Sequence, residues 1–320
     1  MSRASSLVER IGARLEGRAS AVVCVGLSAW DLTWEVDALP VGGAKIRASD
    51  FRDGGGGMAA NAAVAVAKLG GQARFWGRAG DDVVGRAMRD ELAALGVDVA
   101  AFRLFERARS SVSGIVVEAA GERSIFNFRG AGLPDDPSWL PLDTLSRASA
   151  VLADPRWPDG AEAAFAAARG VRVPTVLDGD VADSEVFERL LPHVDCAVFS
   201  ESGLASYASG SSDPVVQLQR ALQAGCGLAA VTLGERGLWW SDGTAARHLP
   251  AYAIDVVDTT GAGDVFHGAL ALALGAALEI EDALRFSAAV AALKCTRPGG
   301  RAGIPALPAV LTFLNECKEN

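Results

Sequence analysis

The chain is poor in the features that would tie it to disulfides, to thiolate metal sites or to an anionic polymer. Its five cysteines, Cys24, Cys196, Cys226, Cys295 and Cys317, are odd in number, scattered and never spaced Cys-x-x-Cys. That spacing supports neither a disulfide framework nor a zinc site, and small core residues of a reduced, cytoplasmic protein are the expectation. Basic residues are outnumbered, 30 to 39, and a formal net charge of −9 opposes approach to nucleic acid or an anionic membrane. No apolar run is long enough to span a bilayer. Residues 1–20 carry four arginines and two glutamates around no apolar core, so they are expected to form an arm or a short amphipathic helix, not a secretory signal. No Gly-x-Gly-x-x-Gly follows the first apolar run. The glycine cluster at 54–57 therefore does not point to a nicotinamide-dependent oxidoreductase.

What the chain does have is 320 residues, half of them apolar, with abundant alanine and glycine. One large α/β domain fits this length better than two equal ones. Residues 21–27, Ala-Val-Val-Cys-Val-Gly-Leu, read as a strand buried on both faces. Similar runs at 74–80, 151–154, 173–177, 196–199 and 228–233 alternate with helical patterns at 58–70, 82–95, 160–169, 184–191 and 213–224. Two more helices are expected after Asp264, to about 278 and over 280–295, and a last one over 310–317. This alternation predicts a mostly parallel sheet with helices on both faces. Residues 111–117 and 123–128 alternate about a turn at 119–122, a hairpin signal. With the extended segment at 33–51 they predict a small separate sheet, a flap over the site made by residues 33–52 and 109–131.

The chemistry concentrates in Asp258-Thr-Thr-Gly-Ala-Gly-Asp-Val-Phe-His-Gly-Ala-Leu270. Gly261 and Gly263 let backbone N–H groups converge, and a helix beginning near Asp264 adds its positive end, which makes an anion cradle. A carboxylate there repels a phosphate unless it faces the nucleophile. Asp264 is then placed to take the proton of a substrate hydroxyl as a phosphoryl group arrives. A glycine-rich turn with an acidic cap is the plain alternative. Asp31 follows the first strand, where ligands of open α/β sheets gather, and one carboxylate can accept from two neighbouring sugar hydroxyls, although it can also merely cap a turn. Asn61, in the first turn after the glycine cluster, has the chemistry to bond a substrate hydroxyl. His267 is expected to pack or bond locally.

Gly56-Gly-x-x-x-Asn61-x-Ala with its trailing Leu-Gly70, and Asp258 to Leu270, resemble the two signatures of the ribokinase-like, or PfkB, carbohydrate kinases. Gly80-Asp81-Asp82 with Gly85, and Val231-Thr-Leu-Gly234 with Gly237, match weaker family patterns, so the resemblance covers essentially everything after residue 20. It implies an αβα sandwich with a mostly parallel central sheet and a small β-sheet lid, and phosphorylation of a sugar hydroxyl by ATP with magnesium. It also implies site roles. Asp264 would be the base and the backbone of Gly261, Ala262 and Gly263 the anion hole. Asp31, Gly56, Gly57 and Asn61 would hold the sugar. Thr232, Gly234, Gly237, Leu293 and Gly300, with Gly261 and Gly263, would hold the nucleotide. A monovalent cation such as potassium would take Asp258, Thr260, Lys294, Arg297, Gly299 and Gly303, mostly through backbone oxygens. One departure is Ser200-Glu201-Ser202-Gly203 where many members carry Asn-x-x-Glu, which leaves Glu201 as the candidate for the magnesium water shell.

Within the family, Val151-Leu-Ala-Asp-Pro-Arg-Trp157, Val176-Leu-Asp-Gly-Asp180, Phe199-Ser-Glu201 and Ala291-Ala-Leu-Lys-Cys-Thr-Arg-Pro-Gly-Gly-Arg-Ala-Gly-Ile-Pro305 resemble the bacterial 6-deoxy-6-sulfofructose kinases. That implies transfer to the 1-hydroxyl of a sulfonated fructose in sulfoquinovose breakdown, with the sulfonate held by Lys45, Asn127 and Arg156. Two cations suit a permanently anionic tail and are superfluous for a neutral hexose. A kinase for fructose, a phosphosugar or a ketoacid sugar, and a non-catalytic sugar sensor, are the alternatives. A homodimer through the exposed edges of the lid is expected.

Overall fold

The computed structural model describes residues 6–17, 20–39, 42–43, 45–118 and 122–317. Parts of the expected N-terminal arm (1–5, 18 and 19), of the first lid segment (40, 41 and 44) and of the hairpin turn (119–121) lie outside the described residues. In chain order the elements are α1 (Leu7–Leu15), β1 (Ala21–Gly26), β2 (Ala29–Val36), β3 (Asp50–Gly56), α2 (Met58–Lys68), β4 (Gln72–Gly80), α3 (Val83–Ala94), β5 (Phe102–Phe105), β6 (Val112–Glu118) and β7 (Arg123–Phe128). The second half holds β8 (Ala150–Ala153), α4 (Pro158–Gly170), β9 (Thr175–Gly179), α5 (Ser184–Leu190), β10 (Cys196–Ser200), α6 (Glu201–Tyr207), α7 (Pro214–Gln223), β11 (Leu228–Thr232), β12 (Leu238–Ser241), β13 (Ala246–Leu249), α8 (Ala262–Gly275), α9 (Ile280–Cys295) and α10 (Leu307–Glu316).

Nine strands make the main sheet in the order β13-β12-β11-β10-β9-β8-β1-β4-β5. All neighbours from β11 to β5 are parallel, and β12 and β13 close one edge antiparallel. Every residue of β1 is buried, as its unbroken apolar run requires. From β1 the chain builds outward through β4 and β5 on one side, then through β8 to β11 on the other. The order therefore reverses between β1 and β8, and a crevice opens beyond their carboxyl ends. One core packs α1, α2, α3, α8, α9 and α10 on one face, and a second packs α4 to α7 on the other. This is the expected αβα sandwich. No helix among the described residues is long and apolar enough to cross a membrane.

The small sheet has the order β3-β2-β6-β7, with β2 and β6 parallel and the other pairs antiparallel. The glycine cluster, expected to be a loop opening α2, is mostly strand: Gly54, Gly55 and Gly56 pair with Asp31, Trp30 and Ala29. Backbone pairing overrides the turn propensity of glycine here because side chains would not fit. A Cβ on Gly56 would fall 2.1 Å from Asp31 Oδ2, and one on Gly55 would fall 1.9 Å from Arg301 Nη1. Strands β12 and β13 and helix α6 were not expected, each being only four to seven residues long.

α1 begins in a capping box between Ser6 and Glu9, buries Ile11 and Leu15, and pairs Arg10 with Asp282 of α9 (2.6 Å). α2 is alanine-rich and buries Ala59, Ala60 and every residue from Ala62 to Val66. Its small side chains admit α8 closely, and a methyl on Gly268 would meet the Ala62 carbonyl at 2.5 Å.

Candidate active site

The site is built where the two glycine motifs meet. Gly261, in left-handed conformation (φ 73°), is the N-cap of α8, and Asp264 lies in the first turn. The Ala262 N–H donates to the Thr259 carbonyl (3.2 Å), and the first-turn donors after it have no intrahelical acceptor. Gly263 faces open space: a methyl placed on it would meet nothing within 4 Å. These donors and the helix end make an anion cradle of the kind the motif called for.

Asp264 is bound from the side. Asn61, in the first turn of α2, donates through Nδ2 to Asp264 Oδ2 at 2.7 Å. The Asn61 carbonyl oxygen accepts from Arg301 Nε at 2.9 Å, which fixes the amide with its donor toward the base. Burial pushes the Asp264 carboxyl up to about 7, with Asp178 and Asp154 adding repulsion and Asn61 and His267 opposing it. A carboxyl titrating near neutrality has the chemistry for proton transfer.

Behind Asp264 lies an acidic wall. Asp154, fully buried after β8, accepts from the backbone N–H groups of Leu27 (2.7 Å), Ala59 (3.0 Å) and Arg156 (2.8 Å). One carboxylate thus joins the end of β1, the start of α2 and the loop after β8. Asp178, buried in β9, has no hydrogen-bond partner on Oδ2, and burial together with Asp154 and Asp180 holds its carboxyl well above the usual range. His267 stands 3.4 Å from that oxygen, while its ring nitrogens lie against the carbonyls of Gly263 (2.7 Å) and Val198 (2.9 Å). Burial lowers its pKa. It is held by local bonds inside the protein, away from the open cradle.

Asp31 is half-buried on β2, and burial raises its carboxyl while Ser113 and Arg301 oppose the shift. The register aligns Gly54, Asp31, Ser113 and Asn127 in one cross-strand row. Asn127 Nδ2 donates to Ser113 Oγ (3.1 Å). Gly57 (φ 93°) caps α2 where a side chain would strike the Leu27 carbonyl at 2.5 Å. Lys45 is exposed between β2 and β3. Arg156 is committed elsewhere, to Asp180 (2.6 Å) and the Val181 carbonyl (2.5 Å). No hydrogen bond joins Lys45 or Arg156 to the Asp31 row among the described residues.

The remaining expected positions fall in two places. Thr232 ends β11, and Gly234 (φ 58°) and Gly237 (φ 77°) shape the turn into β12. Leu293 lies near the end of α9, and Gly300 abuts the Thr260 methyl, 3.7 Å from a methyl placed on it. Asp258 Oδ1 accepts from the Thr260 N–H and Oδ2 from the Gly299 N–H, both at 2.8 Å. Glu201 opens α6, and its exposed carboxylate pairs with exposed Arg236 at 2.5 Å. No group of three or more His, Cys, Asp or Glu among the described residues is arranged to hold a metal ion.

Several residues central to this geometry were not among the expected site residues. Arg301 is 7% exposed, donates to the Gly56 carbonyl (2.9 Å) as well as to Asn61, and lies 3.2 Å from Glu91, which itself accepts from the Gly55 N–H (2.7 Å). Arg123, on β7, reaches Thr260 Oγ1 at 3.5 Å and so touches the loop before α8 from the lid.

Comparison with known proteins agrees with this fold. A ribokinase of Bacillus subtilis (strain 168) is 29% identical over 287 residues, 88% of this chain and 96% of its own. A provisionally named ribokinase of Agrobacterium tumefaciens superposes with a TM-score of 0.90 at 32% identity, covering 95% of this chain and all of its own. The Arabidopsis thaliana ribokinase, solved with ribose and ATP, superposes with a TM-score of 0.81 at 27% identity over 92% of this chain and 98% of its own. The model of the pfkB family carbohydrate kinases matches residues 19–307, and the chain belongs to that family.

Proposed function

We propose that this carbohydrate kinase transfers the γ-phosphoryl group of ATP to the 1-hydroxyl of 6-deoxy-6-sulfofructose, a step of sulfoquinovose breakdown. The observation that carries phosphoryl transfer is the Asp264 carboxylate, held by Asn61 beside the open N-terminus of α8. Asp264 takes the hydroxyl proton late, since a loose transition state asks more of position than of basicity. Gly261, Ala262 and Gly263 stabilise charge on the transferring group. Asp31 accepts from the sugar hydroxyls beside Gly56, Gly57 and Asn61. The nucleotide is ATP, as in the complex of the Arabidopsis relative, and it is read along Thr232, Gly234, Gly237, Leu293 and Gly300. Magnesium, when bound, neutralises charge on the β- and γ-phosphates. Glu201, whose exposed pair with Arg236 is weak, would hold the water shell of that magnesium.

Substitution of Asp264 by asparagine is expected to lower kcat by about 10²–10⁴-fold while ATP still binds by calorimetry. Near-normal turnover would sink the assignment. For the substrate, Asn127 in the Asp31 row and Lys45 on the lid support an anionic tail, and Arg156 joins them by exchanging Asp180 for the sulfonate. The ribose complex of the Arabidopsis relative favours a second reading, a ribose kinase. Measuring kcat/KM on sulfofructose, ribose, fructose and fructose 6-phosphate separates them, and a preference for ribose or a neutral hexose ends the sulfonate reading.

The lid also supports self-association in the reducing cytoplasm. Phe51, Phe126 and Phe128 are 52%, 71% and 38% exposed on its two edge strands and share one face by register, an apolar surface that a second copy covers. Light scattering that returns a monomer at assay concentration would remove the dimer.

A further inference from the structure

The oxygens that the family resemblance assigns to a monovalent cation already face a fixed positive charge. Lys294, in the last turn of α9, is fully buried. Its Nζ donates to the Asp258 backbone carbonyl at 2.8 Å and stands 3.8 Å from Asp258 Oδ1. The same carboxylate accepts from Thr260 N–H and Gly299 N–H, so Asp258 joins the loop before α8, the end of α9 and the C-terminal loop. Around the other expected ligands the chain is close-packed. The Gly303 N–H donates to the Gly299 carbonyl (3.1 Å), and a methyl on Gly303 would fall 2.7 to 3.3 Å from the carbonyls of Gly299, Arg297 and Pro298. Gly303 offers no side-chain oxygen. Arg123, bonded to Thr260, brings a second cation to the same loop. A free cation coordinated by Asp258 would have to sit against a buried ammonium, and like charges at that range repel strongly in a poorly solvated place.

We infer that Lys294 stands in for the monovalent cation: its ammonium holds Asp258, and through Asp258 the loop that forms the anion cradle, so the chain needs no potassium for turnover. The part concerning turnover rests on the kinase reading above, while the structural part does not. A lysine stem reaching from a rigid helix delivers the charge without the entropy loss of capturing an ion, and the carbonyl and carboxylate of one residue compensate its burial.

The test compares chloride salts of tetramethylammonium, sodium, potassium and ammonium. For the unmodified chain, kcat and the thermal midpoint are expected to be the same in all four. Lys294→Ala leaves the Asp258 oxygens facing a space the size of the lost side chain. Its kcat in tetramethylammonium is expected to fall by about tenfold or more. Potassium or ammonium should restore it and also raise the midpoint of this variant alone, because an ion that binds only the folded state stabilises it. Lys294→Met fills the space without charge and should fall as far with no rescue. Strong potassium activation of the unmodified chain overturns the inference. So does a Lys294→Ala protein with ordinary turnover and a midpoint indifferent to cations. If Lys294→Ala folds only when potassium or ammonium is present, the inference stands on that result. An unmodified chain that phosphorylates no sugar defeats the kinase reading, and the midpoints still decide the role of Lys294.

Discussion

Replacing Asn61 by leucine should move the acid limb of the pH–rate profile. In the native chain the Asn61 amide donates to Asp264 at 2.7 Å, and this bond opposes the burial that raises the base to about 7. A hydrogen bond to an ionised group is worth about 1.5–3 kcal/mol. Asp264 keeps some solvent contact, which favours the lower figure. At about 1.4 kcal/mol per unit, the base then rises by about one unit, to about 8. At pH 7 its ionised fraction drops from about one half to about one tenth, and kcat/KM falls about fivefold. The loss should disappear well above the new limb, because a more basic carboxylate is fully ionised there. Measuring kcat/KM for the sugar at saturating ATP is the right assay, since that ratio reports groups of the enzyme before the sugar binds. If Asn61 also binds the sugar, a second loss appears that is the same at every pH, so the two roles separate in one data set. A limb that stays in place in a leucine variant folded by circular dichroism refutes the coupling. A native limb in the ordinary carboxylate range refutes the claim that burial tunes Asp264.

Other expectations follow from the same carboxylates. Because the folded pKa of Asp264 lies above its unfolded value, its contribution to stability is fully present below about pH 4 and is lost as pH rises through about 7. Asp264→Asn should therefore stabilise the fold at neutral pH by about 2 kcal/mol after allowance for solvent screening, read as a raised thermal midpoint that is absent at pH 4. An unchanged midpoint at both would contradict this. Asp154→Asn turns one acceptor toward a backbone N–H into a donor, and should cost about 2–3 kcal/mol in urea unfolding. A midpoint within error of the native chain would mean that Asp154 does not clamp β1, α2 and the β8 loop together.

Much of the fold could be read in the sequence because β1 and β8 to β11 are buried on both faces, which forces unbroken apolar runs that punctuating glycines and aspartates set apart. Asp264, Gly261 and Asn61 were legible for a different reason, since an anion cradle needs glycines at fixed offsets before a helix. Their contact was not legible, because spacing along a chain says nothing about which distant helix comes alongside. Arg301 and Glu91 illustrate the limit. Each is an ordinary charged residue in sequence, and each becomes part of the site only when β3 lies against α3 and the C-terminal loop. The one visible sign was a cation between Gly299 and Gly303. The glycine cluster misled because Gly54, Gly55 and Gly56 pair in β3, and two of them, Gly55 and Gly56, make room for Arg301, Glu91 and Asp31 instead of turning the chain. Similarly, the resemblance implied Lys294 as a cation ligand, and only the structure shows its buried ammonium on the Asp258 carbonyl.

The close seat of α8 on α2 has a consequence for how the protein is made. Asn61 and Asp264 are 203 residues apart, and the guanidinium that orients Asn61 comes later still, at Arg301. A ribosome has therefore released the half of the chain that holds Asn61 long before the helix that carries Asp264 exists. Through that interval α2 can pack on β1 and β4, its neighbours in sequence, but the part of its alanine face that seats α8 stays uncovered. Such long-range closure makes the last fifth of the chain decide the fate of the first. A stop codon between α2 and Arg301 leaves a product with Asn61 but without Arg301 and, if it falls before Asp264, without that carboxylate as well. Such a product is destined for chaperones and proteases, with no partial activity to preserve it.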